Sequence, residues 1–208
     1  MSLEIHLDAI FDADRKLRSS ETSLLRSEPG QVARLLASAV EAAKQLSDRP
    51  EAEMRLSRLA DLCAQVPSAA MVEALIQILD DESPSVRVQA AEALVDVAYD
   101  RYAEVARAIE RAVERGQANN ALRELPWVVA EVAEPSATAL LKRFLAHADA
   151  EVVGSAIEAL ASLGDPSAVP ALSKLKDDTR EVTIDDGDEE ITATLGELVR
   201  EAIDTLGQ

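Results

Sequence analysis

Apolar residues recur along most of this chain with the spacing of amphipathic helices, and polar, proline-marked stretches separate them. Val86, Ala90, Ala93, Leu94 and Val97 fall at i, i+4, i+7, i+8 and i+11, one stripe of a helix. Leu195, Leu198, Val199, Ala202, Ile203 and Leu206 form another. The pattern predicts helix pairs at 31–46 with 51–65, 69–80 with 84–98, 102–115 with 119–133, 136–147 with 150–163, and 167–176 with 193–206. Ahead of them, Leu3, Leu7, Ile10 and Phe11 give residues 2–26 an apolar face, expected to cover the first pair as an N-terminal cap.

The segments are variations on one unit. Pro67-Ser68-Ala69, Pro135-Ser136-Ala137 and Pro166-Ser167-Ala168 each precede a helical pattern, with proline ending one element and serine placed to cap the next. Each is followed by a leucine, an acidic turn, and a valine seven residues on: Leu79 to Val86, Leu145 to Val152, Leu175 to Val182. The second helix repeats as well, since Val86 to Leu94 lines up with Val152 to Leu160 at an offset of 66. The unit between them sits at an offset of 31, which sets Ala121 against Val152. Helix pairs this short cannot bury an apolar face alone and must stack on their neighbours.

Two places depart from the unit. Pro126 falls inside a predicted helix and is expected to kink or split it at Leu125. After Val182, an Asp186-Gly187 pair lies between alternating segments, which predicts a β-hairpin at about 181–192 inserted in the last repeat. Thr194 is placed to cap the helix that follows.

Asp81-Glu82-Ser83-Pro84-Ser85-Val86-Arg87 followed by Ala90-Ala91-Glu92-Ala93-Leu94 resembles the HEAT repeat, and is similar to the HEAT-like variety of the phycobilisome bilin lyases. Leu163 to Leu172 resembles the junction between such repeats. The resemblance implies an all-α, right-handed α-α superhelix that binds proteins. The organisation expected is one solenoid over 1–208: a cap at 1–28, a divergent repeat at 29–66, and HEAT-like repeats at 67–206.

Composition narrows the chemistry. One Trp, two Tyr and two Phe leave Leu, Ala, Val and Ile to build the core. The net charge of −18 opposes binding to nucleic acid, whose phosphates need clustered Lys and Arg, and to anionic membranes. It either attracts a basic protein partner or simply keeps an alanine-rich chain soluble. Cys63, the single cysteine, lies among Leu59, Leu62 and Val66 as an expected buried, inert thiol. The acidic start, MSLEIHLDAIFDADRK, has no signal-peptide pattern, and a cytoplasmic location is expected.

Catalytic constellations are missing from the sequence. His6 and His147 stand in different repeats without companions for a metal set, and His147 ends a helix, where a structural role suffices. Asp185-Asp186-Gly187-Asp188-Glu189-Glu190 lacks calcium-loop spacing. The expectation is a non-enzymatic chain with no cofactor and no metal. Trp127 stands out, because the register sets it against Glu92 and Glu158, positions that face solvent on the second helix of each pair. Two readings stand: an exposed anchor for a partner, or a ring turned into the core by the Pro126 kink. The expected binding face carries Trp127, Arg87, Glu92, Glu131 and Glu158 and takes a protein partner of basic character. An accessory subunit of an enzyme that handles a chromophore or modified protein, as in bilin lyases, is the alternative. Damaged-DNA binding, known for one HEAT-like group, runs against the charge.

Overall fold

Most helices of this chain start where a proline or a short polar side chain sets the first turn. A computed structural model describes residues 3–116, 120–186 and 189–207. Its helices are α1 (Leu3–Leu25), α2 (Pro29–Lys44), α3 (Arg49–Ala64), α4 (Ala69–Leu79), α5 (Pro84–Arg115), α6 (Asn120–Val132), α7 (Ala137–Phe144), α8 (Ala150–Leu163), α9 (Val169–Leu172) and α10 (Leu195–Leu206). Two strands, β1 (Glu181–Asp186) and β2 (Glu189–Thr194), stand between α9 and α10. Asp48 caps α3 and Asp149 caps α8 through carboxylates that accept backbone N–H groups. Thr194 opens α10 in a reciprocal capping box with Glu197. Gly116 and Gly164 end α5 and α8 with φ of 65° and 71°, the left-handed region glycine enters without strain.

Of the three serines expected to cap, Ser68 does so, accepting from the Ala70 N–H. Ser136 begins α7 without a side-chain cap bond. Ser167 lies inside a 3-10 turn, Pro166–Ala168, and donates to the Asp165 carboxylate, the stronger acceptor, at 2.8 Å. The same carboxylate accepts from Thr138 Oγ1 at 2.6 Å and is held down to about 2, first by that bond and then by Ser167.

The fold is an α-α solenoid with a small antiparallel hairpin in its last unit. Helix α5 has a non-helical residue, Arg101, which divides it into the second helix of one pair and the first helix of the next. The second helices form one layer, α3 beside the first part of α5, then α6, α8 and α10; α2, α4, the rest of α5, α7 and α9 form the other. The predicted stripe Val86, Ala90, Ala93, Leu94 and Val97 is buried, as are Val152, Ala156, Ala159 and Leu160. Small residues on these stripes let adjacent helices close up. Cys63 is fully buried, which pushes its thiol up to about 12. Neighbouring pairs are also hooked together by charge. Arg49 donates to Asp81 at 2.6 Å, and although burial opposes the Asp81 charge, the guanidinium and the Ser83 N–H outweigh it and hold the carboxyl below its usual range.

Two expectations are corrected. Helix α6 runs unbroken through Pro126 and is not split at Leu125. Pro126 is buried along with Leu122, Leu125 and Val129, and the packing of α6 between α5 and α8 offsets the cost of a mid-helix proline, about 3 kcal/mol. Helix α1 does not lay its apolar face on the first pair. Leu3, Leu7, Ile10 and Phe11 are exposed, because only the last turns of α1, at Leu24 and Leu25, pack on the core. The hairpin forms with Val182 opposite Ala193 and Ile184 opposite Ile191. Gly187 and Asp188 lie outside the described residues, as do the side chains of 184–191, which include the whole acidic run from Asp185 to Glu190.

Candidate partner-binding groove

Where α5 and α6 lie side by side, their outward positions leave a cleft of about 380 Å³. Its floor is apolar: Val88, Ala91 and Val95 from α5, Trp127 and Val128 from α6. Its rim is acidic: Glu92, Asp96, Glu124 and Glu131. Helical spacing explains the set, since Val88, Ala91, Glu92, Val95 and Asp96 share one face of α5, and Glu124, Trp127, Val128 and Glu131 share one face of α6. Trp127 is 42% exposed, so the ring stands in the groove and not in the core. Val88 is exposed beside it at 58%. Glu92 and Asp96 also border a second cleft of about 410 Å³, lined by Arg58 and Asp61 of α3, by Gln65 at its end and by Glu21 of α1.

The residues predicted for this face separate into three groups. Trp127, Glu92 and Glu131 meet in the groove. Arg87 does not join them, because its guanidinium is spent inside the protein: it donates to Glu124 at 3.0 Å and to the carbonyls of Asp81 and Glu82 at 3.2 and 3.0 Å. Its role is to tie the start of α5 to α6. Glu158 sits in a different cleft, against α10 and β1. The sequence did not single out Val88 and Asp96, although their spacing from Glu92, four residues either side, carries the signal. His147 is buried, and its Nδ1 accepts the Asp149 N–H at 3.1 Å, a structural use. Among the described residues, no group of three or more His, Cys, Asp or Glu could hold a metal ion. Nor is any described helix long and apolar enough to cross a membrane.

A family model of HEAT repeats matches residues 113–186, and a second HEAT repeat model matches residues 71–100. The chain carries HEAT repeats over these residues. No curated protein matches it. Among solved structures, an engineered protein is similar at 18% identity, covering 90% of this chain and 96% of that one, with a TM-score of 0.37. A designed armadillo repeat protein in complex with the peptide (KR)4 is similar at 19% identity, covering 93% and 94%, with a TM-score of 0.38. Computationally designed armadillo repeat proteins for modular peptide recognition match at 17% identity, covering 92% and 93%, with a TM-score of 0.37.

The HEAT register makes the surface of α8 comparable with that of α5 and α6. Gly154 stands where Val88 does, and Glu158 where Glu92 and Trp127 do. On α8 that surface is covered by the chain's own β1. Val182 is 4% exposed, and a Cβ added at Gly154 would sit 3.3 Å from its Cγ1 and 3.7 Å from Leu198 Cδ1. The Thr183 N–H donates to Glu151 Oε1 at 3.1 Å. Arg180 fixes the base of the strand, donating to the carbonyls of His147 and Ala148 at 3.0 Å each and pairing with Asp178 at 2.7 Å. One groove between second helices therefore holds an extended strand, while the α5/α6 groove is open.

Proposed function

We propose that this HEAT-repeat chain is a non-catalytic interaction module whose α5/α6 groove takes an extended, basic segment of a protein partner, anchored on Trp127. The observation that carries this is the exposed Trp127 in an apolar-floored, acid-rimmed groove. Aromatic side chains at the centre of such clefts supply much of the energy of an interface. Glu92, Asp96 and Glu131 form no ion pair among the described residues, which leaves three carboxylates to meet Lys or Arg. Strand β1 on α8 supports the extended form of the ligand. It seats one apolar side chain between two helices and gives a backbone N–H to a carboxylate on the rim. Phosphates would be repelled from the same rim. A tetrapyrrole-handling role of the bilin-lyase kind gains nothing from this groove, which has a single aromatic ring and no cysteine, Cys63 being buried.

The test is fluorescence anisotropy of a labelled peptide bearing one leucine flanked by lysines and arginines, against its glutamate-flanked counterpart. The basic peptide should bind with an affinity that falls as salt rises, and Trp127→Ala should weaken it by about 2 kcal/mol or more, roughly thirtyfold. The unfolding free energy of Trp127→Ala in urea should stay within about 1 kcal/mol of the parent, because an exposed ring gives little to the core. Equal binding of the two peptides, or loss of stability in place of binding, would end this reading.

A further inference from the structure

Tyr99 carries the outward face of α5 beyond the cleft at Trp127. Val88, Glu92, Val95 and Tyr99 lie at i, i+4, i+7 and i+11, opposite the buried stripe Val86, Ala90, Ala93, Leu94 and Val97. Tyr99 is 60% exposed, and among the described residues it and Trp127 are the two aromatic rings that the second helices offer to solvent. Asp96, one turn before Tyr99, and Asp100, next to it, are exposed as well. The base nearest to it in sequence, Arg101, pairs with Glu104 at 3.4 Å, and Arg87 at the start of α5 pairs with Glu124 at 3.0 Å. Both are held by carboxylates, and an acid-flanked ring without a base of its own suits a cation brought by a partner.

The repeat register sets Tyr99 a fixed step from Trp127. Glu92 of α5 is level with Trp127 of α6, so Tyr99 stands seven residues further along the helix direction, about 10 Å. Axes of packed helices lie about 9 Å apart, which makes the diagonal from Trp127 to Tyr99 about 14 Å. A strand rises about 3.3 Å per residue and turns alternate side chains to one side, so positions i, i+2 and i+4 of an extended segment cover about 13 Å of one face. With its apolar residue on Trp127 and Val88, such a segment carries its second residue beside Asp96 and its fourth over Tyr99. We propose that Tyr99 is a specificity residue of this groove, stacking on an arginine four positions from the apolar anchor of the partner segment, with the Asp96 carboxylate beside it. The role of Tyr99 rests on the α5/α6 groove being the partner site, and it adds a spacing that net charge alone does not require.

Two labelled peptides of identical composition test this by fluorescence anisotropy with the full chain. Each has one leucine with lysines at the second position on either side. One carries its arginines at the fourth position on either side, the other at the third, where a strand turns them away from the protein. The wild type should bind the four-spaced peptide about three- to fivefold tighter, the size of a solvent-exposed cation–π contact. Tyr99→Ala should remove that margin without moving the melting temperature, Tyr99→Phe should keep it, and Trp127→Ala should weaken both peptides. Equal affinities in the wild type overturn the proposal, as does a margin that survives Tyr99→Ala or is lost in Tyr99→Phe. If Trp127→Ala weakens both peptides while Tyr99→Ala changes neither, the groove is the partner site and Tyr99 has no part in it. If neither peptide binds the wild type, the groove reading falls and the role of Tyr99 with it.

Discussion

The groove between α8 and α10 and the groove between α5 and α6 are built from equivalent positions, yet one is filled by the chain itself and the other is open. Two residues account for the difference. Gly154 leaves space on α8, and Val182 of β1 takes it; at the matching position on α5 stands Val88, whose side chain forms a raised apolar floor. Glu158 faces the strand, where Glu92, its counterpart on α5, is exposed on the rim of the open groove. The repeat thus provides the same ledge several times over, and single substitutions decide whether it is sealed from within or offered outward.

Breaking the filled groove should have the largest effect on stability. Val182→Asp puts a carboxylate where a side chain is 4% exposed, so β1 either buries an unpaired charge or leaves α8. A loss of about 2–4 kcal/mol in urea unfolding is expected. The same change at exposed Val88 should stay within about 0.5 kcal/mol. Equal costs at both sites would mean that β1 does not rest on α8 in solution.

A smaller effect should follow from exchanging the two floor residues. Gly154→Val adds a Cβ at 3.3 Å from Val182 and further methyls beyond it, an overpacking expected to cost about 1–3 kcal/mol. Val88→Gly should cost only the difference in helix propensity, a few tenths of a kcal/mol or about 0.4. Melting curves of the two variants check the contrast, which disappears if β1 has room to shift outward.

How much of this could be read from the sequence depends on whether local or tertiary forces decide. The helix pairs and the hairpin were legible because apolar periodicity and an Asp-Gly turn act locally, and the repeat fixed their register. Trp127 was legible as an oddity by the same register, since it stands where glutamates stand in the other units. Pro126 misled, because a mid-helix proline breaks a helix by local rules but is carried here by burial of α6 between α5 and α8. The actual break, at Arg101, has no proline and no glycine, and the repeat length alone marked it. Arg87 was assigned to the binding face from its position, which gives no hint of its bonds to Glu124 and to two carbonyls. The covering of α8 by β1 was not legible, because it joins residues that only the folded topology brings together.

The smallest expected effect tests the electrostatics of the filled groove. Burial raises the Glu158 carboxyl above its usual range, and the nearby charges of Glu201 and Glu151 add to the rise. A carboxyl with a raised value in the folded state binds its proton more tightly there than in the unfolded chain. Its contribution is therefore fully favourable below the unfolded value, and is lost as pH rises through the higher folded one. At neutral pH the ionised Glu158 is a small liability, so Glu158→Gln should stabilise the chain by no more than about 1 kcal/mol once solvent screening is allowed for. The gain should vanish when unfolding is repeated below the ordinary glutamate value, where Glu158 is protonated in both states. A gain that persisted there undiminished would mean that the raised Glu158 carboxyl is not its source.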